Sequence, residues 1–235
     1  MLSLLPVLAA LAGERTFAFS YGYGTVPQGG VEVEHYATAK LEEDGESLDW
    51  EHQIELEYGI TDRLESGLYF VAGQTGEGPF SYRGFKARLR YRLGNEGVGP
   101  IDPALYLEYV GSPTFQEHGI EAKVILAKKI SLVEIALNLE YVVELSDEGV
   151  AHELEPTLGV GVHVAPWAIV GVESMTELEW EGGEMGGPFE WAGPSLHLAG
   201  EGGKMWMTLA GLVGVTEETR ADHGFMVRSL VAVNL

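Results

Sequence analysis

The chain has 235 residues and a formal net charge of −22, with 36 acidic and 14 basic side chains, and it contains no cysteine. So acidic a protein repels a phosphate backbone, which excludes a nucleic-acid partner. Without cysteine there is no disulfide framework, thiol nucleophile or thiolate metal site. No run reaches the ~18 apolar residues that a spanning helix needs, so any membrane crossing must be made by strands.

The first residues predict an exported protein. Residues 1–12 read MLSLLPVLAALA, a short apolar run that ends in an A-x-A-like cleavage site. The run lacks a positive n-region, so a start further upstream, or a merely apolar N-terminus, stays open as an alternative. We predict a signal peptide over residues 1–12, an N-terminal periplasmic segment over residues 13–29, and a single domain over residues 30–235.

From residue 30 onward the dominant pattern is alternation with period two, the signature of strands. In residues 48–60, for example, Glu55 and Glu57 fall on one face, and Ile54 and Leu56 fall on the other. The strands are longer than the average of about 5–6 residues in soluble proteins, as tilted membrane strands are. The pattern predicts an all-β, closed, antiparallel up-and-down transmembrane barrel of about twelve strands, over residues 30–42, 48–60, 63–74, 81–94, 102–112, 117–129, 131–145, 151–164, 167–181, 187–199, 204–216 and 223–235.

The connections between these strands alternate in character. Tight turns such as Thr61-Asp62 are predicted at one end, and longer acidic loops such as residues 42–46, 146–149 and 217–222 at the other. Outer-membrane barrels have short periplasmic turns and long external loops, so we expect both termini on the periplasmic side. The acidic loops are interpreted as a solvated surface, or as a surface that shares divalent cations with lipopolysaccharide phosphates.

Aromatic residues cluster near the ends of the predicted strands on the apolar face, with aliphatic residues between them. This pattern is typical of a lipid-facing band between two aromatic girdles, whereas a soluble β-protein, the alternative, would centre its aromatics in the core. It predicts membrane lipids as partners. The predicted interface aromatics are Trp50, Tyr58, Tyr91, Tyr109, Tyr141, Trp180 and Trp206.

The opposite face is too charged for a dry core, because buried unpaired charges cost several kcal/mol each. These side chains are predicted to line a lumen, either as an eyelet that attracts anionic solutes or as ion pairs that fill the interior, and the two can coexist. The predicted basic lining is Lys86, Arg88, Arg90, Arg92 and Arg228. The predicted acidic lining is Glu51, Glu55, Glu57, Glu65, Glu108, Glu134, Glu140, Glu153, Glu155, Glu173 and Glu177.

No catalytic motif is recognisable. The seven histidines show no metal-ligand spacing, with His163 and His197 predicted to face the lumen and His35 and His52 the apolar side. Neither G-x-S-x-G nor a His-x-Ser pair occurs, and Ser174 has no nearby histidine in sequence. We therefore expect no enzyme activity, no catalytic residue, no metal and no cofactor.

One turn, in residues 58–68, carries a more specific sequence motif than the rest of the chain. Residues 58–68 read YGITDRLESGL, which resembles the turn of small Gram-negative outer-membrane barrels of the putative transporter or phenol meta-cleavage pathway type. Residues 27–34 resemble the opening strand of those proteins, and residues 192–197 a late strand. The resemblance implies a barrel of about twelve strands with a passive uptake role. The chain departs from the pattern at Leu235, where the signal read by the outer-membrane assembly machinery usually ends in an aromatic residue.

Four hypotheses follow from these patterns. The leading one is a passive outer-membrane channel for small solutes with a narrow charged lumen. The second is a structural or surface-interaction barrel whose lumen is closed by salt bridges. The third is an outer-membrane lipid-modifying enzyme, and the fourth a soluble β-protein.

Overall fold

The computed structural model describes residues 14–41, 48–147, 149–182 and 184–235. The predicted signal peptide and the acidic residues 42–46 lie outside this range. Twelve strands are present where the alternation predicts them. They are β1 (Val31–Leu41), β2 (Leu48–Thr61), β3 (Leu64–Gln74), β4 (Ser81–Arg92), β5 (Asp102–Gly111), β6 (His118–Ile130), β7 (Val133–Ser146), β8 (Gly149–Ala165), β9 (Ala168–Glu181), β10 (Glu184–Ala199), β11 (Met205–Gly214) and β12 (Phe225–Asn234).

Each strand pairs antiparallel with its neighbour in the chain, and the last strand closes on the first. The β1–β12 seam runs without a shift from the pair Glu32–Asn234 to the pair Leu41–Phe225. Closure leaves no sheet edge with unpaired backbone groups, which is the condition for strands to stand in a hydrocarbon environment. The predicted fold class is thus confirmed. None of the helices in the described residues is both long and apolar enough to span a membrane.

The barrel buries charge and exposes apolar side chains, the reverse of a soluble domain. Ile54, Leu107 and Val172 are more than half exposed on the outer surface, whereas Glu55 and Arg88 are at most 2% exposed inside. The alternation of each strand sends these two sets of residues to opposite faces. Such a surface matches the apolar band of a transmembrane barrel.

The two ends of the barrel differ in their connections. We call the end where β1 begins and β12 ends the turn end, and the opposite end the loop end. At the loop end the β11–β12 connection carries a short helix, α1 (Glu217–His223), whose first turn is capped by the side chain of Thr216. The prediction of a longer loop over residues 146–149 is wrong, because β7 continues to Ser146 and β8 already begins at Gly149.

Residues 14–26, which we call the plug segment, run inside the barrel. Most of them are buried, including Phe17, Phe19 and Tyr21, each at most 6% exposed. Residues 14–26 of the predicted periplasmic segment 13–29 thus lie inside the barrel. The reason is that alternate residues of the segment are large aromatics, which gain free energy by burial and fill space that the wall leaves open.

Candidate functional site

The interior of the turn-end half is held together by ion pairs. Arg88 donates to three carboxylates: its Nε lies 2.5 Å from Glu55 Oε1, its Nη1 lies 2.5 Å from Glu65 Oε1, and its Nη2 bonds to Glu57. The Arg88 Nε also lies 2.9 Å from the Tyr69 hydroxyl. All three ion pairs are fully shielded from solvent, so the guanidinium acts as a fixed cross-link between β2, β3 and β4 rather than as a free charge in a pore.

The remaining basic residues of the predicted ladder are also paired or stacked. Arg90 lies 2.8 Å from Glu65, and Lys86 lies 3.1 Å from Glu108 and 3.0 Å from Glu121. Arg92 stacks over the ring of Tyr23. The basic side chains of this ladder thus have partners inside the barrel.

The plug segment is held by side chains of the wall rather than by strand pairing. Glu173 accepts hydrogen bonds from three successive backbone N–H groups, those of Ala18, Phe19 and Ser20, at 2.8–3.1 Å. Asn138 bonds both the N–H and the carbonyl of Tyr21. An irregular buried segment needs such partners, because unpaired backbone groups away from water are costly.

Both ends of the plug segment are tied to the wall in the same manner. Thr16 donates to Glu134 at 2.7 Å, and the N–H of Val26 donates to Glu65 at 2.6 Å. The segment therefore crosses the interior from the side of β7 to the side of β3. Among the predicted lumen residues, those that contact the plug segment include Glu65, Glu134, Glu173, Arg90, Arg92 and Arg228.

The ring of Tyr21 in the plug segment lies close to several cationic side chains. The Arg15 guanidinium is 3.8 Å from its ring centroid, the Lys123 ammonium is 4.6 Å away, and the Arg90 guanidinium is 5.2 Å away. Cations over an aromatic face are attracted by its electron density, and the attraction is larger where water is excluded. The contacts with Lys123 and Arg90 thus connect the plug segment to the wall, whereas Arg15 belongs to the plug segment itself.

Two wall glycines make room for the plug segment. A Cβ at Gly159 would lie 2.6 Å from the ring of Phe17, and one at Gly161 would lie 3.3 Å from the same ring. Real Cβ atoms essentially never lie 2.6 Å from another heavy atom. A larger residue at position 159 therefore cannot coexist with the Phe17 ring in its observed place. The wall sequence is in this respect fitted to a filled interior.

The loop-end half contains open space instead. A cavity of about 690 Å³ reaches from β4 across to β9. Its acidic lining residues are Glu117, Glu121, Glu144, Glu153 and Glu179, and its basic ones are Arg83 and Lys86. We call this cavity the acidic vestibule. Excess negative charge in such a concave surface raises the local concentration of cations.

All predicted acidic lining residues project to the interior, at different depths. Glu55, Glu57, Glu65, Glu108 and Glu173 are buried, whereas Glu51, Glu134, Glu153, Glu155 and Glu177 are partly exposed. Glu140 is paired with Lys123 at 2.7 Å. Arg228, from the predicted basic set, donates to Thr38 and lies over the ring of Phe19. The same alternation places Glu32, Glu34, Glu121 and Lys123 inside, although the prediction did not include them.

Six of the seven predicted interface aromatics lie on the outer face: Trp50, Tyr58, Tyr91, Tyr109, Tyr141 and Trp180. Trp206 is the exception, since it is only 2% exposed and donates from Nε1 to Glu32 at 2.9 Å. Its assignment to the membrane interface is wrong. Neither face of β11 carries a charged residue, and Thr208 is the one polar residue that marks the face turned inward.

The histidines follow the predicted sides. His163 lies 2.6 Å from Glu134 inside, and His197 bonds to Thr208. On the outer face the rings of His35 and His52 stack, with 3.1 Å between two ring nitrogens. His118 and His152 bond to the hydroxyls of Tyr109 and Tyr141, also on that face.

Fold and interior together define a class: a twelve-stranded barrel of the outer-membrane type, with its turn-end half filled by its own N-terminal segment. Residues 9–127 match the family described as "Family of unknown function (DUF6662)", slightly more than half of the chain, and the protein belongs to that family. No curated protein matches the sequence.

Two solved structures share the fold. The COG4313 outer-membrane channel from Pseudomonas putida F1 aligns with a TM-score of 0.64 at 10% identity, over 91% of this chain and 98% of that one. The NanC porin aligns with a TM-score of 0.58 at 8% identity, over 87% of this chain and 100% of that one. At such low identity the likeness establishes the architecture.

Proposed function

We propose that the protein is an outer-membrane channel for small cationic solutes, closed by its plug segment and opened when that segment moves. The observation that carries the proposal is the way the plug segment is held. Residues 14–26 join no strand of the sheet, and side chains such as Glu173 and Asn138 hold them. Displacing the segment therefore breaks side-chain contacts and leaves the closed ring of twelve strands intact.

The outer membrane is the location that suits the surface, and the turn end faces the periplasm in this proposal. The exposed aliphatic band and the six outer aromatics support a lipid environment. The two solved relatives named above are an outer-membrane channel and a porin by their descriptions, which agrees with the proposal. Membrane lipids, lipopolysaccharide and the outer-membrane assembly machinery are then its partners.

The preference for cations follows from the acidic vestibule. Its five carboxylates outnumber its two basic side chains, one of which, Lys86, is already paired. Rings of acidic side chains favour cations in pores by the same electrostatics. The arginine ladder attracts anions little. The three carboxylates paired with Arg88, for example, neutralise the positive charge of its guanidinium group.

A reversible lock tests the proposal directly. Ser20 on the plug segment donates to Thr157 on β8 with 3.1 Å between the hydroxyl oxygens, and the natural chain has no cysteine. The double variant Ser20→Cys/Thr157→Cys would thus form one disulfide between plug and wall. In planar bilayers we expect cation-selective conductance from the reduced variant and from the natural protein, and no conductance from the oxidised variant.

The controls separate the alternatives. Ser20→Cys alone should conduct under both oxidising and reducing conditions. Conductance that the disulfide leaves unchanged would show that the plug does not gate the pathway.

The closed structural barrel is the second candidate, favoured by the dense ion pairs around Arg88. Absence of conductance at every salt concentration, in all forms of the protein, would support it over the channel. The lipid-modifying enzyme stays a prediction, and release of fatty acid from phospholipid or lipid A by the purified barrel is its test.

A further inference from the structure

Three glutamates gather behind the plug segment on the first two strands. Glu32 and Glu34 point inward from alternate positions of β1, and Glu57 on β2 is the direct cross-strand partner of Glu32. All three are 0% exposed. One carboxylate oxygen of each lies within 4.8 Å of one oxygen of each of the others. Like charges so placed repel, so something must compensate them.

Each of these carboxylates is fixed through one oxygen and free at the other. Glu32 Oε2 accepts from the Trp206 indole, Glu34 Oε2 accepts from the Tyr36 hydroxyl, and Glu57 Oε1 accepts from Arg88. The other three oxygens, Glu32 Oε1, Glu34 Oε1 and Glu57 Oε2, are buried and have no hydrogen-bond partner among the described residues. A buried carboxylate oxygen without a partner is costly, and such a group calls for a specific explanation.

The surrounding charges do not balance either. The network of this region contains five carboxylates at 0% exposure: Glu32, Glu34, Glu55, Glu57 and Glu65. Against them stand three buried guanidinium groups, those of Arg15, Arg88 and Arg90. Two negative charges are left over in a region that solvent does not reach.

We propose that Glu32, Glu34 and Glu57 bind one calcium ion. A divalent cation supplies the two missing positive charges, and the donors are all carboxylate oxygens, which hard cations prefer. The three oxygens lie within 4.8 Å of one another, and two donors of one calcium ion at ~2.4 Å can be no further apart than that, so the spacing allows the three to share one ion. Magnesium is disfavoured because it demands near-octahedral geometry at ~2.0–2.1 Å, whereas calcium accepts irregular sets of oxygens at longer distances.

The ion would join the seam of the barrel to the wall beside it. Glu32 and Glu34 belong to β1, which closes the barrel against β12 and directly follows the plug segment in the chain. Calcium would therefore stabilise the closed, plugged form. The competing explanation is that the glutamates share protons instead of a metal.

Terbium luminescence of the purified full-length barrel in detergent tests the site. Terbium replaces calcium at oxygen sites, and a nearby indole sensitises its emission; the Trp206 Nε1 lies 2.9 Å from Glu32. After removal of metals with a chelator, we expect saturable tryptophan-sensitised emission that calcium displaces. Glu32→Gln should weaken calcium competition at least about tenfold, as loss of a ligand or its support does in metal sites. The matched change Glu217→Gln on α1, outside the lining of the acidic vestibule, should leave it unchanged.

The outcomes divide cleanly. Emission that calcium displaces at least about tenfold more weakly in Glu32→Gln, and with unchanged affinity in Glu217→Gln, supports the site. Equal calcium affinity in Glu32→Gln and the natural protein, or absence of any calcium-displaceable emission, overturns it. If Glu32→Gln does not fold, calcium content decides: one tightly held calcium per natural chain after dialysis supports the proposal, and none contradicts it and leaves shared protons as the explanation.

Discussion

The two halves of the barrel interior handle charge in opposite ways. In the turn-end half, carboxylates such as Glu55 and Glu65 are fully buried and paired with Arg88 around the plug segment. In the loop-end half, carboxylates such as Glu153 and Glu179 are partly exposed and face a cavity. Charge in the dry half must be neutralised by fixed partners, whereas charge in the wet half is stabilised by water. The same residue type therefore serves structure at one end and electrostatic attraction at the other.

The largest expected effect is at Arg88. The variant Arg88→Met leaves Glu55, Glu57 and Glu65 without their shared cation, and breaking a buried pair by removing one partner costs about 3–5 kcal/mol. We expect the free energy of unfolding in urea to fall by that amount, or the barrel to fail to fold. The control Arg83→Met removes an exposed arginine at the loop end and should have little effect. Equal stability of the two variants would remove the distinction between the halves.

The second largest effect is expected at Glu173, which holds the plug segment through three backbone hydrogen bonds. Glu173→Ala removes the acceptor of three backbone N–H groups, each of which costs about 1–3 kcal/mol if left buried and unpaired. The plug segment should leave the interior rather than bear this cost, so we expect rapid protease cleavage within residues 14–26 and a larger conductance. Glu153→Ala, the same change in the acidic vestibule, should leave the segment protected. Protection that persists in Glu173→Ala would show that other contacts suffice to hold it.

A third variant tests the fit between wall and plug. In Gly159→Ala the new methyl group would overlap the ring of Phe17, and overpacking of this kind costs about 1–3 kcal/mol. We expect a lower unfolding temperature and faster proteolysis of the plug segment. Gly211→Ala is a matched control, because nothing lies within 4 Å of a Cβ there. A Gly159→Ala barrel as stable as Gly211→Ala would mean that Phe17 does not occupy this position.

The smallest effect on stability is expected in the acidic vestibule. Glu153 and Glu179 are cross-strand partners on β8 and β9, and the double variant Glu153→Gln/Glu179→Gln removes two like charges. Folding stability should change by no more than about 0.5 kcal/mol, as for most surface changes. The reversal potential in a salt gradient should move towards lower cation selectivity. Glu217→Gln/Glu218→Gln on α1, outside the cavity lining, should leave the selectivity unchanged.

Much of this architecture was predictable from sequence, because alternation over long strands specifies which face each residue takes. It placed the ladder of Lys86, Arg88 and Arg90 and the outer aromatics such as Trp50 and Tyr58 on their observed sides. It failed for Trp206, since no charged residue marks either face of Met205–Gly214 and only Thr208 marks the inward one. Alternation divides the residues of a strand between the two faces of the sheet, but it cannot show which face turns inward when charge marks neither of them.

The plug segment was beyond the reach of alternation for a different reason. Phe17, Phe19, Tyr21 and Tyr23 do alternate with small residues, but this run forms no strand of the barrel. Its partners Asn138 and Glu173 are more than a hundred residues away in the chain, and their contacts exist only after the barrel closes. The three-carboxylate cluster likewise depends on cross-strand register, which sequence periodicity does not give in full.

The most direct test of the divided interior compares one cysteine in each half. Ser20→Cys places a thiol in the plug segment, where the natural residue is 0% exposed, and Glu153→Cys places one in the acidic vestibule. Both thiols are unique, because the chain has no other cysteine. With a bulky hydrophilic maleimide added to the folded barrel, Glu153→Cys should react rapidly and Ser20→Cys far more slowly, only during the intervals in which the plug segment is displaced. Equal labelling rates in the folded state would contradict a plugged turn-end half.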